Sequence, residues 1–217
     1  MCIRDRSSRW DRFILTGPVA FMTALKLIVG LGNPSPQYDH TRHNVGALWV
    51  RELSRRYAIP LSADAKFKGE IGRGLIAGTD CRLLVPSTYM NVSGESVGAV
   101  QRFYKIPVVE MLVAYDEMAF DPGVVRLKQG GGDNGHNGVR SVRAGCGNDG
   151  GFNRLRIGVG HPNDRNLVTT YLTQRAMPAA ERRLIEQATD FSDALMRDIV
   201  QGNWQQAMNV LHASGDK

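Results

Sequence analysis

The sequence predicts a single α/β domain over residues 22–217, a mixed twisted β-sheet flanked by helices in three layers. Three observations carry that expectation. Short apolar runs with strand character alternate with stretches whose apolar residues recur at helical spacing. Some successive strands are separated by a helix and others by a tight turn, so one sheet should hold parallel and antiparallel pairs. A chain of 217 residues at 42% hydrophobic can enclose one core, and no repeat or low-complexity linker divides it.

Taken in order, Leu25 to Leu31 is a buried strand. Val45, Leu48, Trp49, Leu53 and Tyr57 then form the apolar face of a helix that ends before Pro60. Phe67 to Ala77 is a strand, turned at Gly78-Thr79-Asp80 into a second one, Cys81 to Val85. Beyond the loop Pro86 to Ser93, residues Val97, Val100, Phe103 and Tyr104 mark a helix stopped by Pro107. Met111 to Tyr115 is a strand closing on Asp116-Glu117, and Val124 to Lys128 another after the turn Asp121-Pro122-Gly123. The loop Gly130 to Gly138 leads into a short helix, Leu155 to Val159 is the last strand, and His161 to Asp164 a turn. From Pro178, Leu184, Ile185, Ala188, Phe191, Leu195 and Ile199 read as one helical stripe, followed by a helix from Trp204 to Leu211.

Composition narrows the function. The net charge of +6 and pI near 9.5 favour a polyanionic partner. No apolar run approaches the roughly 18 residues that a membrane span requires. Three widely spaced cysteines, Cys2, Cys81 and Cys146, with no C-x-x-C pair point to reduced thiols in a cytoplasmic protein. The first 21 residues carry Arg4, Arg6, Arg9 and Arg12, but Thr16, Gly17 and Pro18 break the apolar stretch that a signal peptide needs. We expect the functional chain to start at Met22 and residues 1–21 to be a non-native or disordered extension. Without them the chain loses four Arg and two Asp and stays basic.

The stretch Gly30 to Gly46, GLGNPSPQYDHTRHNVG, gathers many special residues into one strand-to-helix connection. Asn33 stands at the strand end and His43 at the threshold of the helix, where α/β sheets place their chemistry. Asp116 ends another apolar strand, while Asn91 and Asn137 precede helices, so all five can meet at one edge of the sheet. Each of these residues alone would say little, since Asn is a common turn former and a lone His is usually a polar surface group.

Two other readings are disfavoured. Gly130, Gly132 and Gly135 match G-x-G-x-x-G, but the preceding strand alternates apolar and basic residues, and no strand-end carboxylate is placed to read a ribose. His40 and His43, even with His136 or His161, lack a recognised zinc-ligand spacing, so no metal and no cofactor is expected. No G-x-S-x-G and no activated cysteine suggests covalent catalysis.

Five motifs, in order and in register over about residues 25–213, resemble bacterial-type peptidyl-tRNA hydrolase. They are G-L-G-N-P…Y-x-x-T-R-H-N-V-G (Gly30 to Gly46), P-S-T-Y-M-N-V-S-G (Pro86 to Gly94), V-A-Y-D-E (Val113 to Glu117), L-K-Q-G-G-G-x-x-G-H-N-G (Leu127 to Gly138) and F-N-R-L-R-I-G-V-G-H-P (Phe152 to Pro162). The sequence departs from the pattern at Ser35-Pro36, where a Gly usually follows Asn-Pro, at Asp133-Asn134, and in the Gly-rich segment Ala144 to Gly151.

The resemblance implies metal-independent hydrolysis of the ester joining a peptide to tRNA. The alternative is a non-catalytic tRNA- or RNA-binding module. On the enzyme reading, His43 is the base that activates water and Asp116 orients its ring. Asn33 tells blocked from free α-amino groups, and Asn91 and Asn137 hold the peptide backbone and the ester. Tyr38, Tyr89 and Met90 form apolar walls for the peptide and the terminal adenine. Lys128 and Arg156 match the family's clamp on the 5′ phosphate, and Arg140, Arg143, Arg154 and Arg165 would extend the basic face. The expected partner is the acceptor stem and 3′ end of peptidyl-tRNA, bound by a cytoplasmic monomer.

Overall fold

The computed structural model describes residues 23–213, so the expected extension 1–21 lies outside the described residues. Among these the strands are β1 (Leu27–Gly30), β2 (Ser62–Asp64), β3 (Gly69–Ile76), β4 (Thr79–Pro86), β5 (Met111–Glu117), β6 (Val125–Gln129) and β7 (Asn153–Gly158). They form one sheet in the order β2-β3-β4-β1-β5-β7-β6. The four central strands β4, β1, β5 and β7 run parallel, and the outer pairs are antiparallel. The mixed sheet therefore places its parallel strands in the middle, where helices cover both faces.

The helices are α1 (Val45–Arg56), α2 (Ser93–Tyr104), α3 (Asn137–Gly145), α4 (Val168–Thr173), α5 (Ala179–Thr189), α6 (Asp193–Gln201) and α7 (Trp204–Ala213). The two-residue period of the strands separates the layers. Leu27, Val29, Met111 and Val113 face Val97, Val100, Val139 and Val142 of α2 and α3. Ile28 and Leu112 turn the other way, toward Trp49 and Leu53 of α1 and Leu195 and Ile199 of α6. No helix among the described residues is long and apolar enough to cross a membrane.

Three features differ from the sequence reading. The stripe from Pro178 is two helices, because Ser192 accepts the Leu195 amide at 3.2 Å and starts α6 afresh. The apolar residues stay in phase across the break, so periodicity alone cannot show it. The short β2 and α4 carry too few apolar residues to be read from pattern.

Two glycines fix the site's frame. A side chain on Gly30 would overlap the Gly46 carbonyl, and one on Gly46 would overlap that of Ala114. The start of α1 thus lies backbone to backbone on β1 and β5, locked by Leu31 N to Ala114 O and Ala47 N to Leu31 O, both 3.0 Å. This contact presents the residues just before α1 to the end of β5.

Candidate active site

His43 occupies a single 3-10 turn, Arg42–Asn44, at the entrance to α1. The turn is held from outside. Arg42 is buried, stacks 3.9 Å over the Tyr171 ring and pairs with Glu181 at 2.7 Å, while Thr41 bridges to Ala176. Asn44 clasps the preceding loop, accepting from Asn33 N at 2.8 Å and donating to Asn33 O at 3.0 Å.

His43 Nδ1 lies 2.8 Å from Asp116 Oδ1, and His136 Nε2 lies 2.9 Å from that same oxygen. The His43 and His136 rings are 5.2 Å apart, and His136 meets the Tyr115 ring edge-on at 4.9 Å. The protons can be assigned from the partners. His136 Nδ1 accepts the Gly138 and Val139 amides at 3.1 and 3.2 Å, so it is unprotonated and Nε2 donates to Asp116. Asp116 can only accept when ionised, so His43 presents Nδ1–H to it and keeps a free lone pair on Nε2. The second Asp116 oxygen is buried with no partner among the described residues, a local cost of the kind functional sites carry.

The electrostatics follow. Burial opposes a charge on His43, but the Asp116 carboxylate and its hydrogen bond outweigh it and raise the imidazole pKa above 6.5. Burial likewise opposes the Asp116 charge, yet the two facing imidazoles hold it well below the usual carboxylate range. His43, Asp116 and His136 also form a group whose ligand atoms lie within 4.8 Å of one another. As hydrogen-bonded, however, the nitrogens that face Asp116 carry protons and offer a metal no lone pair.

The remaining predicted residues fall around this centre. Asn33 Oδ1 accepts the Met90 amide at 2.8 Å, which orients the side-chain amide and leaves Nδ2 without a partner among the described residues. Met90 is buried against Gly138, so the turn Met90–Val92 with Asn91 abuts the start of α3 with Asn137. Asn91 and Asn137 are both exposed. Tyr89 is 57% exposed, and neither its ring nor that of Tyr38 pairs with another ring among the described residues. Lys128 is exposed on β6, its stem lying along Gly131. Arg156 is tied to Glu117 Oε2 at 3.0 and 2.9 Å and sits 4.5 Å over the Phe120 ring.

Arg154 corrects the expectation of a wider basic face. It is only 2% exposed and donates to the carbonyls of Gly131, Gly132 and Gly150, pinning the glycine-rich loop from beneath. His136, weighed above only as a metal ligand, is the second partner of Asp116, which the sequence reading missed. Its one signal is its place directly before Asn137, in the capping position of α3.

The sequence pattern of the peptidyl-tRNA hydrolase family matches residues 27–217. The chain belongs to that family. It is 50% identical over 192 residues to the peptidyl-tRNA hydrolase of Azotobacter vinelandii, covering 88% of this chain and 98% of the relative. The Pseudomonas aeruginosa enzyme is 47% identical with the same coverage. The crystal structure of peptidyl-tRNA hydrolase from Acinetobacter baumannii superposes with a TM-score of 0.84 at 45% identity, covering 88% of this chain and 96% of that one. For a peptidyl-tRNA hydrolase family member, Ser35 is a telling departure. It adopts φ +102°, a conformation that suits the glycine usual there and strains a residue with a Cβ.

Proposed function

We propose that the chain hydrolyses the ester between a peptide and the 3′ end of tRNA, with His43 as general base and Asp116 as its orienting partner. The observation that carries this reading is the free Nε2 of a buried imidazole whose Nδ1 is held 2.8 Å from a carboxylate. An ester is already activated and needs only water, a base, and donors for the developing negative charge.

Nε2 takes one proton from water, and the hydroxide so formed bonds to the ester carbon. The tetrahedral oxyanion collapses by breaking the bond to the 3′ oxygen, which receives the proton back from Nε2. The products are free tRNA and a peptide acid, which then loses its proton to solvent. General base catalysis of this kind contributes roughly 10²–10⁴ in rate. The Asn91 and Asn137 amides at the rim supply donors for the ester and the peptide backbone. Losing one preorganised donor of this type costs about 2.7–4 kcal/mol.

Selectivity rests on Asn33. With its oxygen occupied by the Met90 amide, it presents an N–H donor. A blocked α-amino group brings a carbonyl to meet that donor, whereas a free ammonium brings only donors and is left unpaired. Tyr38, Tyr89 and Met90 serve as walls for the peptide and the terminal adenine. Lys128 and Arg156 take the 5′ phosphate of the acceptor stem, with Glu117 aiming the Arg156 guanidinium. One chain supplies every group, so a monomer suffices, acting in the cytoplasm where translation makes the substrate.

The test is release of tRNA from N-acetyl-aminoacyl-tRNA beside free aminoacyl-tRNA, with and without chelator. The blocked ester should be cleaved, the free one spared, and chelator should change neither. Binding of tRNA without cleavage would make the chain an RNA-binding module instead.

A further inference from the structure

The residue before the proposed base is itself buried, although its side chain reaches a different part of the fold. Arg42 is 4% exposed, and its partners lie 129 and 139 residues further along the chain. Its guanidinium carbon sits 3.9 Å over the centre of the Tyr171 ring in α4, and Nη2 donates to Glu181 Oε2 in the first turn of α5 at 2.7 Å. Tyr171 is fixed in turn, because its hydroxyl donates to the Val159 carbonyl at 2.7 Å, just beyond β7. Beside this strut, Met177 N donates to His40 O at 2.8 Å.

We infer that Arg42 is a positioning residue for the hydrolysis: it ties the turn that carries His43 to α4 and α5, and so fixes the imidazole against Asp116. The inference rests on the reading of His43 as the general base.

The turn needs such a tie. Arg42–Asn44 is a single 3-10 turn, whose hydrogen bonds are less well aligned than those of an α-helix, and Thr41 lends it no side-chain cap. Asn44 holds it to the Asn33 loop, but under the proposed function that loop meets the substrate. Arg42 ties it instead to α4 and α5, where the proposed function places no substrate contact.

Stability is a poor explanation for the pair. Arg42 Nε is buried with no partner among the described residues, and Nη1 reaches the Tyr171 carbonyl only at 3.4 Å. Burying a guanidinium is costly, and an apolar side chain of similar volume commonly serves stability as well. What an apolar chain lacks is direction. The planar fork has a face for the ring and an edge for the carboxylate, so it sets the orientation of the turn as well as its place.

The experiment measures kcat and KM on N-acetyl-aminoacyl-tRNA beside thermal unfolding. It also follows the proton NMR signal of the His43 Nδ1–H held by Asp116, assigned by its loss in His43→Ala. Arg42→Met fills the space with an apolar chain that suits an aromatic neighbour, so it should fold and melt near the parent. Its KM should hold within about twofold while kcat falls roughly tenfold, as expected when a reacting group is misplaced without loss of binding. The Nδ1–H signal should shift or broaden. Arg42→Lys keeps the charge but not the fork, so kcat should fall there too.

The Glu181 side chain is 30% exposed, so its substitution leaves the core filled and decides the matter even if Arg42→Met fails to fold. Glu181→Ala should lower kcat in the same direction as Arg42→Met, and Glu181→Gln, which keeps an acceptor for the guanidinium, should recover most of the loss. Parental kcat in folded Arg42→Met or Glu181→Ala would overturn the inference. So would a loss that only tracks the unfolded fraction, or full recovery by Arg42→Lys. Failure of the parent on the blocked ester, or full turnover in His43→Ala, would instead overturn the hydrolysis reading beneath it.

Discussion

The two halves of the site are built to different tolerances. Around Asp116 every polar contact is short, buried and determined from more than one side: two rings on one oxygen, one of those rings capping α3, the other on a turn clasped by Asn44 and Arg42. Around the glycine-rich loop, Lys128 and Asn137 are exposed, and the loop is held from beneath by Arg154. Under the proposed function the contrast matches the demands. A proton transfer needs a ring fixed within a few tenths of an ångström, while binding many tRNAs needs charge near a phosphate and little more.

Substitutions at the two halves should separate these demands. His43→Ala should lower turnover by roughly 10²–10⁴ with substrate affinity nearly unchanged, measured by single-turnover kinetics on N-acetyl-aminoacyl-tRNA. Retained turnover would remove the base from the mechanism. His136→Ala takes one donor from Asp116 and the cap from α3, so it should cut kcat roughly tenfold and cost about 1 kcal/mol of stability. His136→Asn, which can still donate and cap, should recover the stability before the rate. A purely structural role would restore both together.

On the binding half, Lys128→Ala should raise KM, leave kcat alone and reduce the slope of log K against log salt by about 1. An unaltered slope would mean that Lys128 meets no phosphate. The smallest effect belongs to Ser35→Gly. It relieves a positive φ worth about 1–3 kcal/mol, partly offset by the extra freedom glycine gives the unfolded chain, so a net gain of about 1 kcal/mol is expected in thermal or denaturant unfolding. A loss of stability would show that the loop is not strained there.

Much of this arrangement was readable from residues, and the exceptions have physical causes. Asn33 and Asp116 were findable because each ends a run of buried apolar residues, and a polar residue at that place in a parallel sheet faces the crevice. His136 was not, because histidine is an uncommon helix cap and its partner lies 20 residues back on another element. Arg154 misled for a related reason. An arginine two positions from Arg156 in an alternating strand looks solvated, and only the fold brings three glycine carbonyls over its guanidinium. Glu117, which aims Arg156, was visible only as the neighbour of Asp116. Pattern shows which face a residue takes, but not which distant loop folds over it.

The most direct measurement of the central claim is the pH dependence of kcat/KM in the parent and in Asp116→Asn. The base works only when neutral, and Asp116 raises the His43 pKa, so the parent's acid limb should lie above pH 6.5 and activity should fall as pH drops through it. Removing the carboxylate's charge leaves burial unopposed, so the limb should move to lower pH while the plateau rate drops. An acid limb at the same pH in both proteins would show that Asp116 does not govern the imidazole that the mechanism depends on.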